Sequence, residues 1–234
     1  MDELTTLAQT IYNRLLTVFG LPEWRIALSP IDELVSTILS QNTNDRNRDV
    51  AFDRLKEAFP SWEAVRDANP EEVIECIRPA GLANQKGPRI QTVLKEISAE
   101  RGDLDLSFLK EMTVDEARAW LLHFNGVGPK TAAIVLQFSL DKPDFPVDTH
   151  IYRVSGRLGL RPVNMTVEQA HPHLAALFDP STYGPAHLNL IRLGREICHA
   201  RKPECAACPL NDICPSSLTG SPDTAPGQPT PLNP

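Results

Sequence analysis

Apolar residues recur along this chain at spacings of three and four, and only rarely at two. Between residues 3 and 19, Leu4, Leu7, Ile11, Leu15 and Val18 fall on one stripe, the signature of a helix with one buried face. Start signals punctuate the chain beyond it. Ser29-Pro30-Ile31-Asp32 offers a capping hydroxyl, a proline at the first helical position and an acid in the first turn, just ahead of LVSTILS. Asn69-Pro70-Glu71-Glu72 repeats that grammar, and Thr113-Val114-Asp115-Glu116 and Thr166-Val167-Glu168-Gln169 read as capping boxes. Alternating apolar and polar runs are short. The pattern predicts an all-α fold.

Composition narrows the classes. At 234 residues the chain suits one or two domains, and a hydrophobic content of 41% supports a sizeable core. No run approaches the roughly 18 apolar residues a membrane span needs. The opening MDELTTLAQT carries two acids and no basic-then-apolar stretch, so no signal peptide is expected. Residues 216–234, SSLTGSPDTAPGQPTPLNP, hold few apolar groups and almost no charge, which predicts a disordered tail. The net charge of -7 argues against broad non-specific affinity for nucleic acid. Charge is distributed unevenly, however. Arg192, Arg195, His199, Arg201 and Lys202 cluster against only Glu196 and Glu204, while acids concentrate between Glu57 and Glu75.

Four of the five cysteines, Cys198, Cys205, Cys208 and Cys214, crowd into one C-x6-C-x2-C-x5-C run. A disulfide scaffold would spread them, so the packing points to a metal site in a reducing compartment. Four thiolates suit tetrahedral zinc or an iron–sulfur cluster. Fastening the loop at both ends would preorganise Arg201 and Lys202 as phosphate contacts. Cys76 stands apart and reads as a packed or idle thiol.

Residues 121–135, LLHFNGVGPKTAAIV, run an amphipathic helix into Gly126-Val127-Gly128, and a second helix starts at Pro129. Two glycines around one apolar residue permit positive φ and a close backbone approach. Amides beside a helix N-terminus make an anion site suited to phosphate, although a plain interhelical turn would also use such glycines. Lys130 follows at once. A lysine attacks carbon only as its neutral amine, roughly a few in ten thousand at neutral pH, so it needs burial, nearby cations or a helix N-terminus. By its position alone Lys130 is equally a phosphate contact. Downstream, FPVDTHIYRV places Asp148 at a helix N-cap, where capping is the plain role and a catalytic carboxylate the sharper one. His150 reads as structural.

With these three motifs in hand, residues 1–215 resemble the endonuclease III branch of the helix–hairpin–helix DNA glycosylases. The resemblance implies an N-terminal helix (1–23) joined to an iron–sulfur domain (137–215), a six-helix barrel (24–136) with the hairpin at about 120–136, and a DNA cleft between the domains. It implies a [4Fe-4S] cluster on the four cysteines, Lys130 as Schiff-base nucleophile and Asp148 as the essential carboxylate. Gly126, Val127 and Gly128 would contact the DNA backbone, Gln41 would fill the gap left by a flipped base, and Leu82 would wedge into the opposite strand. The partner it implies is damaged or abasic double-stranded DNA, bound by a monomer with no membrane association, in the cytoplasm of a bacterium or archaeon. The expected activity is glycosylase plus abasic-site lyase, with oxidised pyrimidines as substrates.

The chain departs from the family pattern at Asn125, where a proline is common, and at Ala83, where an aromatic residue is frequent. Gly87-Pro88 is a further departure and is expected to interrupt the helix after Leu82. Mismatch-specific glycosylases, which lack a lysine at this hairpin position in the adenine-mismatch case, and a non-catalytic damage-binding protein are the competing expectations. A zinc-stabilised interaction module is a third.

Overall fold

The computed structural model describes residues 2–22 and 28–219. In chain order they form α1 (Glu3–Phe19), α2 (Pro30–Ser40), α3 (Asp45–Ala58), α4 (Trp62–Asp67), α5 (Pro70–Ile77), α6 (Ala83–Arg101), α7 (Val114–Leu122), α8 (Pro129–Ser139), α9 (Thr149–Arg157), α10 (Val167–Ala175) and α11 (Tyr183–Glu196). Among the described residues there is no strand. The caps are those the sequence announces. Ser29 accepts from the Asp32 amide and Asn69 from the Glu71 amide, and both capping boxes close reciprocally.

The chain divides into two compact units, residues 24–146 and residues 1–23 with 147–234. The first is built around α2, whose residues Ile31 and Glu33 to Leu39 are all buried. It packs against α3, α6 and α8. A helix buried on every side is a core element, and α8 resembles it, burying Thr131 to Leu136. The hairpin lysine therefore rides on one of the most enclosed helices of this unit.

Helix α6 corrects an expectation. It runs unbroken through Gly87-Pro88. Pro88 removes one amide, but both Pro88 and Asn84, whose carbonyl that amide would have met, are exposed and water can serve instead. Gly87 faces inward, and a Cβ there would lie 2.9 Å from Ile74 Cγ1. The glycine is what lets α6 press against α5.

The units part between Pro146 and Val147 rather than at 136. Residues 137–146 stay with the first unit because Arg118 Nε donates to Asp144 Oδ2 at 2.7 Å, Lys142 Nζ donates to the Met112 carbonyl and Phe145 is fully buried.

In the second unit α11 packs against α1 and α9. Helix α1 buries Ala8, Ile11 and Leu15, while Val18 at the end of the expected stripe is 56% exposed. Asn189 Nδ2 donates to the Gly20 carbonyl at 3.1 Å, and Arg14 pairs with Asp212. Ser217 and Thr219 both donate hydroxyl hydrogens to Asn211 Oδ1, so the segment expected to be a disordered tail begins as folded chain. The rest of that tail, 220–234, lies outside the described residues. No described helix is long and apolar enough to cross a membrane.

Candidate functional site

The hairpin after α7 is tight for two different reasons. Gly126 adopts φ +98, and a Cβ there would fall 2.3 Å from Arg89 Cδ. Only glycine meets both demands. Gly128 has an ordinary φ of -94, so only the first of the two glycines takes the positive φ that the pair permits. A Cβ on Gly128 would meet nothing within 4 Å. The space in front of α8 is open, and no side chain caps this helix. Its first amides are thus available to an anion. Val127 is 4% exposed, so only its backbone can face a ligand. Lys130, at the second helical position, is half-buried in the first turn, where the helix's positive end opposes a further positive charge.

Two turns of the same unit carry the expected wedges. Leu82 is 47% exposed and sits at φ +50, a left-handed conformation that costs a non-glycine residue about 1–2 kcal/mol. Gln41 is half-buried and held from two sides. Arg89 Nη1 donates to its Oε1 at 3.0 Å, and its Nε2 makes a long 3.5 Å contact with the Gly126 carbonyl. The residue that projects beside it is Asn42, exposed and at φ +52. Asn42 and Arg89 were not legible as site residues. A left-handed asparagine after a helix has a faint signal in LSQNT, whereas Arg89 has none.

Beneath both turns lies Lys86, which is 1% exposed. Its Nζ donates to the Leu39 carbonyl at 2.7 Å and to the Ala80 carbonyl at 2.8 Å. Burial pushes its pKa down to about 8, so the ammonium remains the majority form at neutral pH.

In the second unit Asp148 caps α9, accepting the Ile151 amide on Oδ1 at 2.7 Å. His150 Nδ1 stands 3.2 Å from Arg153 Nη2. Burial, with Arg153 and Arg195, holds His150 below the usual histidine pKa against the pull of Asp148. Arg153 also donates to the carbonyls of Gly194 and Cys198 at 2.8 and 3.0 Å. Arg157 Nη1 reaches Cys198 Sγ at 3.3 Å and the His199 carbonyl at 2.7 Å, and its Nη2 reaches the Ala200 carbonyl at 3.0 Å. The loop bearing the exposed Arg201 and Lys202 is therefore pinned by arginine as well as by cysteine.

Cys198, Cys205, Cys208 and Cys214 line one pocket with Arg157, Leu158 and Leu193. Burial raises the thiol pKa of Cys208 and Cys214, and the neighbouring cysteines add to it. Metal coordination reverses that balance by binding the thiolate. Four thiols lining one pocket offer the ligand set that an iron–sulfur cluster requires.

Residues 35–180 match the HhH-GPD superfamily of base excision DNA repair proteins, and residues 198–214 match the iron–sulfur binding domain of endonuclease III. The chain is 34% identical over 185 residues to endonuclease III of Thermotoga maritima, covering 79% of this chain and 82% of that one. Endonuclease III of Sulfolobus acidocaldarius matches at 34% over 183 residues, 77% and 79% of the two chains. A relative from Arabidopsis thaliana matches at 35% over 85% of this chain, which spans 65% of the plant protein. A non-covalent endonuclease III–DNA complex superposes with a TM-score of 0.79 at 25% identity, over 91% of this chain and 95% of that one. A thermostable thymine-DNA glycosylase shares the fold, at TM-score 0.77 and 19% identity.

Fold and hairpin together define the class, the helix–hairpin–helix proteins of base excision DNA repair. Within it, the chain belongs to the endonuclease III family. The four-cysteine loop is accordingly the site of a [4Fe-4S] cluster.

Proposed function

We propose that this protein is a bifunctional DNA glycosylase and abasic-site lyase acting on oxidised pyrimidines in double-stranded DNA. The observation that carries the reading is Lys130, half-buried in the first turn of α8 directly behind an open glycine hairpin. Phosphate amides and an amine nucleophile then come from one structural unit.

Catalysis begins with the damaged nucleotide turned out of the stack. The neutral Nζ of Lys130 attacks C1′, and the base departs with the electrons of its glycosidic bond and takes up a proton. Loss of the Nζ protons and opening of the C1′–O4′ bond give a C1′=Nζ imine, with O4′ becoming a hydroxyl. Removal of a C2′ proton then expels the 3′ phosphate by cleavage of the C3′–O bond, and water releases Lys130 from the unsaturated aldehyde. Asp148 stabilises the cationic sugar and assists the proton transfers through its carboxylate, Oδ1 being already committed to the α9 cap. The cluster, when bound, fastens the loop that presents Arg201 and Lys202 to phosphates.

Borohydride reduction of the protein incubated with abasic DNA should leave a covalent adduct with the wild type and none with Lys130→Gln. An undiminished adduct in that variant refutes the assignment of Lys130. Excision from a thymine glycol duplex, compared with a G·T mismatch, decides the substrate class. Faster release of mismatched thymine would replace oxidised pyrimidines in this reading.

A further inference from the structure

Lys86 is an unusual thing to find in a core. It is 1% exposed, and its Nζ donates to two main-chain carbonyls, Leu39 at 2.7 Å and Ala80 at 2.8 Å. A methionine would fill the same volume without dehydrating a charge. What the ammonium does that an apolar residue cannot is join two stretches of chain. Leu39 lies in the last turn of α2, ahead of Gln41 and Asn42. Ala80 closes the short 3-10 turn after α5, ahead of Gly81 and Leu82.

Each tethered carbonyl lies a few residues ahead of an exposed residue in the left-handed region, Asn42 at φ +52 and Leu82 at φ +50. Such conformations persist only where the surroundings over-determine them, and they gather at functional sites. Because both carbonyls bind one nitrogen, the two turns can be no farther apart than a single ammonium reaches. One turn further along α6, Arg89 donates to Gln41 Oε1 at 3.0 Å and lies across Gly126. The same helix thus steadies the first turn twice.

We propose that Lys86 is a positioning residue for base extrusion, holding the turn of Gln41 and Asn42 and the turn of Leu82 as one rigid pair of protrusions that enter the duplex as the nucleotide leaves it. This rests on the reading of the chain as an enzyme that extrudes a base from DNA. Lys86 touches neither substrate nor the reacting atoms. Its effect passes through the two turns.

The test compares single-turnover excision of thymine glycol in two duplexes, one with adenine opposite the lesion and one with a tetrahydrofuran abasic analogue there, where no partner base has to be displaced. Lys86→Met should be roughly tenfold slower on the paired duplex, a loss in the range seen for coupled residues. It should stay close to wild type on the unpaired one. In a Leu82→Ala background Lys86→Met should add little further loss, because the two changes remove one function. Lys86→Gln, whose uncharged side chain is one bond shorter and cannot hold both carbonyls at the Nζ position, is measured alongside and should show the same split if the methionine variant does not fold. Equal losses on both duplexes, no loss on either, or full additivity with Leu82→Ala would overturn the proposal. A wild-type protein that forms no borohydride adduct and excises nothing would instead sink the glycosylase reading.

Discussion

If Asp148 is the carboxylate proposed above, it holds two roles that substitution can separate. Its Oδ1 caps α9 by accepting the Ile151 amide. Asparagine keeps a capping oxygen and loses the charge, while alanine loses both. Asp148→Asn should therefore unfold within a few tenths of a kcal/mol of wild type while losing most lyase turnover, and Asp148→Ala should lose about 1 kcal/mol of stability as well. Denaturant melts set beside borohydride trapping check both halves. Equal stabilities for the two variants would remove the cap from the account.

Lys86 makes a prediction of the opposite kind, in pH. Its folded-state pKa is depressed from 10.5 to about 8 by burial. Between those values the unfolded chain binds more protons at this site than the folded one, so stability from this group rises with pH. That contribution is complete above 10.5 and lost as pH falls through about 8. Wild-type stability should accordingly rise relative to that of Lys86→Met from pH 7.5 to pH 10, as read by urea unfolding at each pH. A constant gap would show that the lysine titrates normally. Lys130 and Asp148 were visible in the sequence because they sit inside recognisable motifs. Lys86 was not, since a lysine in the run Asn-Gln-Lys-Gly-Pro has every appearance of a surface residue. Only tertiary packing turns it inward.

Helix boundaries were legible wherever a cap wrote them. Ser29, Asn69, Thr113 and Thr166 all close the helices they announce. The error at Gly87-Pro88 came from reading two breakers as one break. The glycine serves contact with α5, and the proline faces water, neither of which a one-dimensional pattern records. At the hairpin the two glycines also differ in kind. Gly126→Ala combines a left-handed φ with a collision against Arg89, and should cost about 1–3 kcal/mol. By moving Arg89 from Gln41, it should slow excision more than abasic-site trapping. A thermal melt and the two assays in parallel check this. Unchanged stability would mean the turn has more slack than its dihedrals indicate.

Across the whole molecule, formal charge is a poor guide to binding. The chain is acidic, yet Arg201 and Lys202 project from a loop held by Arg157 and flanked by cysteine ligands. Arg201→Ala should weaken binding to every sequence alike and reduce the slope of log affinity against log salt by about 1. An unaltered slope in a salt titration would take Arg201 off the phosphate-binding surface. A metal-binding loop was legible from cysteine spacing, and its iron–sulfur character from the family resemblance. Its arginine supports, Arg153 and Arg157, were not, because nothing local distinguishes them from other basic positions on an amphipathic helix.

The two units also differ in how their chain is laid out. One is a single uninterrupted stretch, whereas the other joins α1 to residues far downstream through Asn189 and Asp212. On the ribosome, the stretch holding Lys86 and Lys130 has all its internal contacts within reach well before α1 meets its partners. Arrested nascent chains should thus acquire protease resistance over 30–146 while α1 is still digestible, and iron should be acquired last. Lys130 would then be in place before the loop that bears Arg201 and Lys202 is fastened.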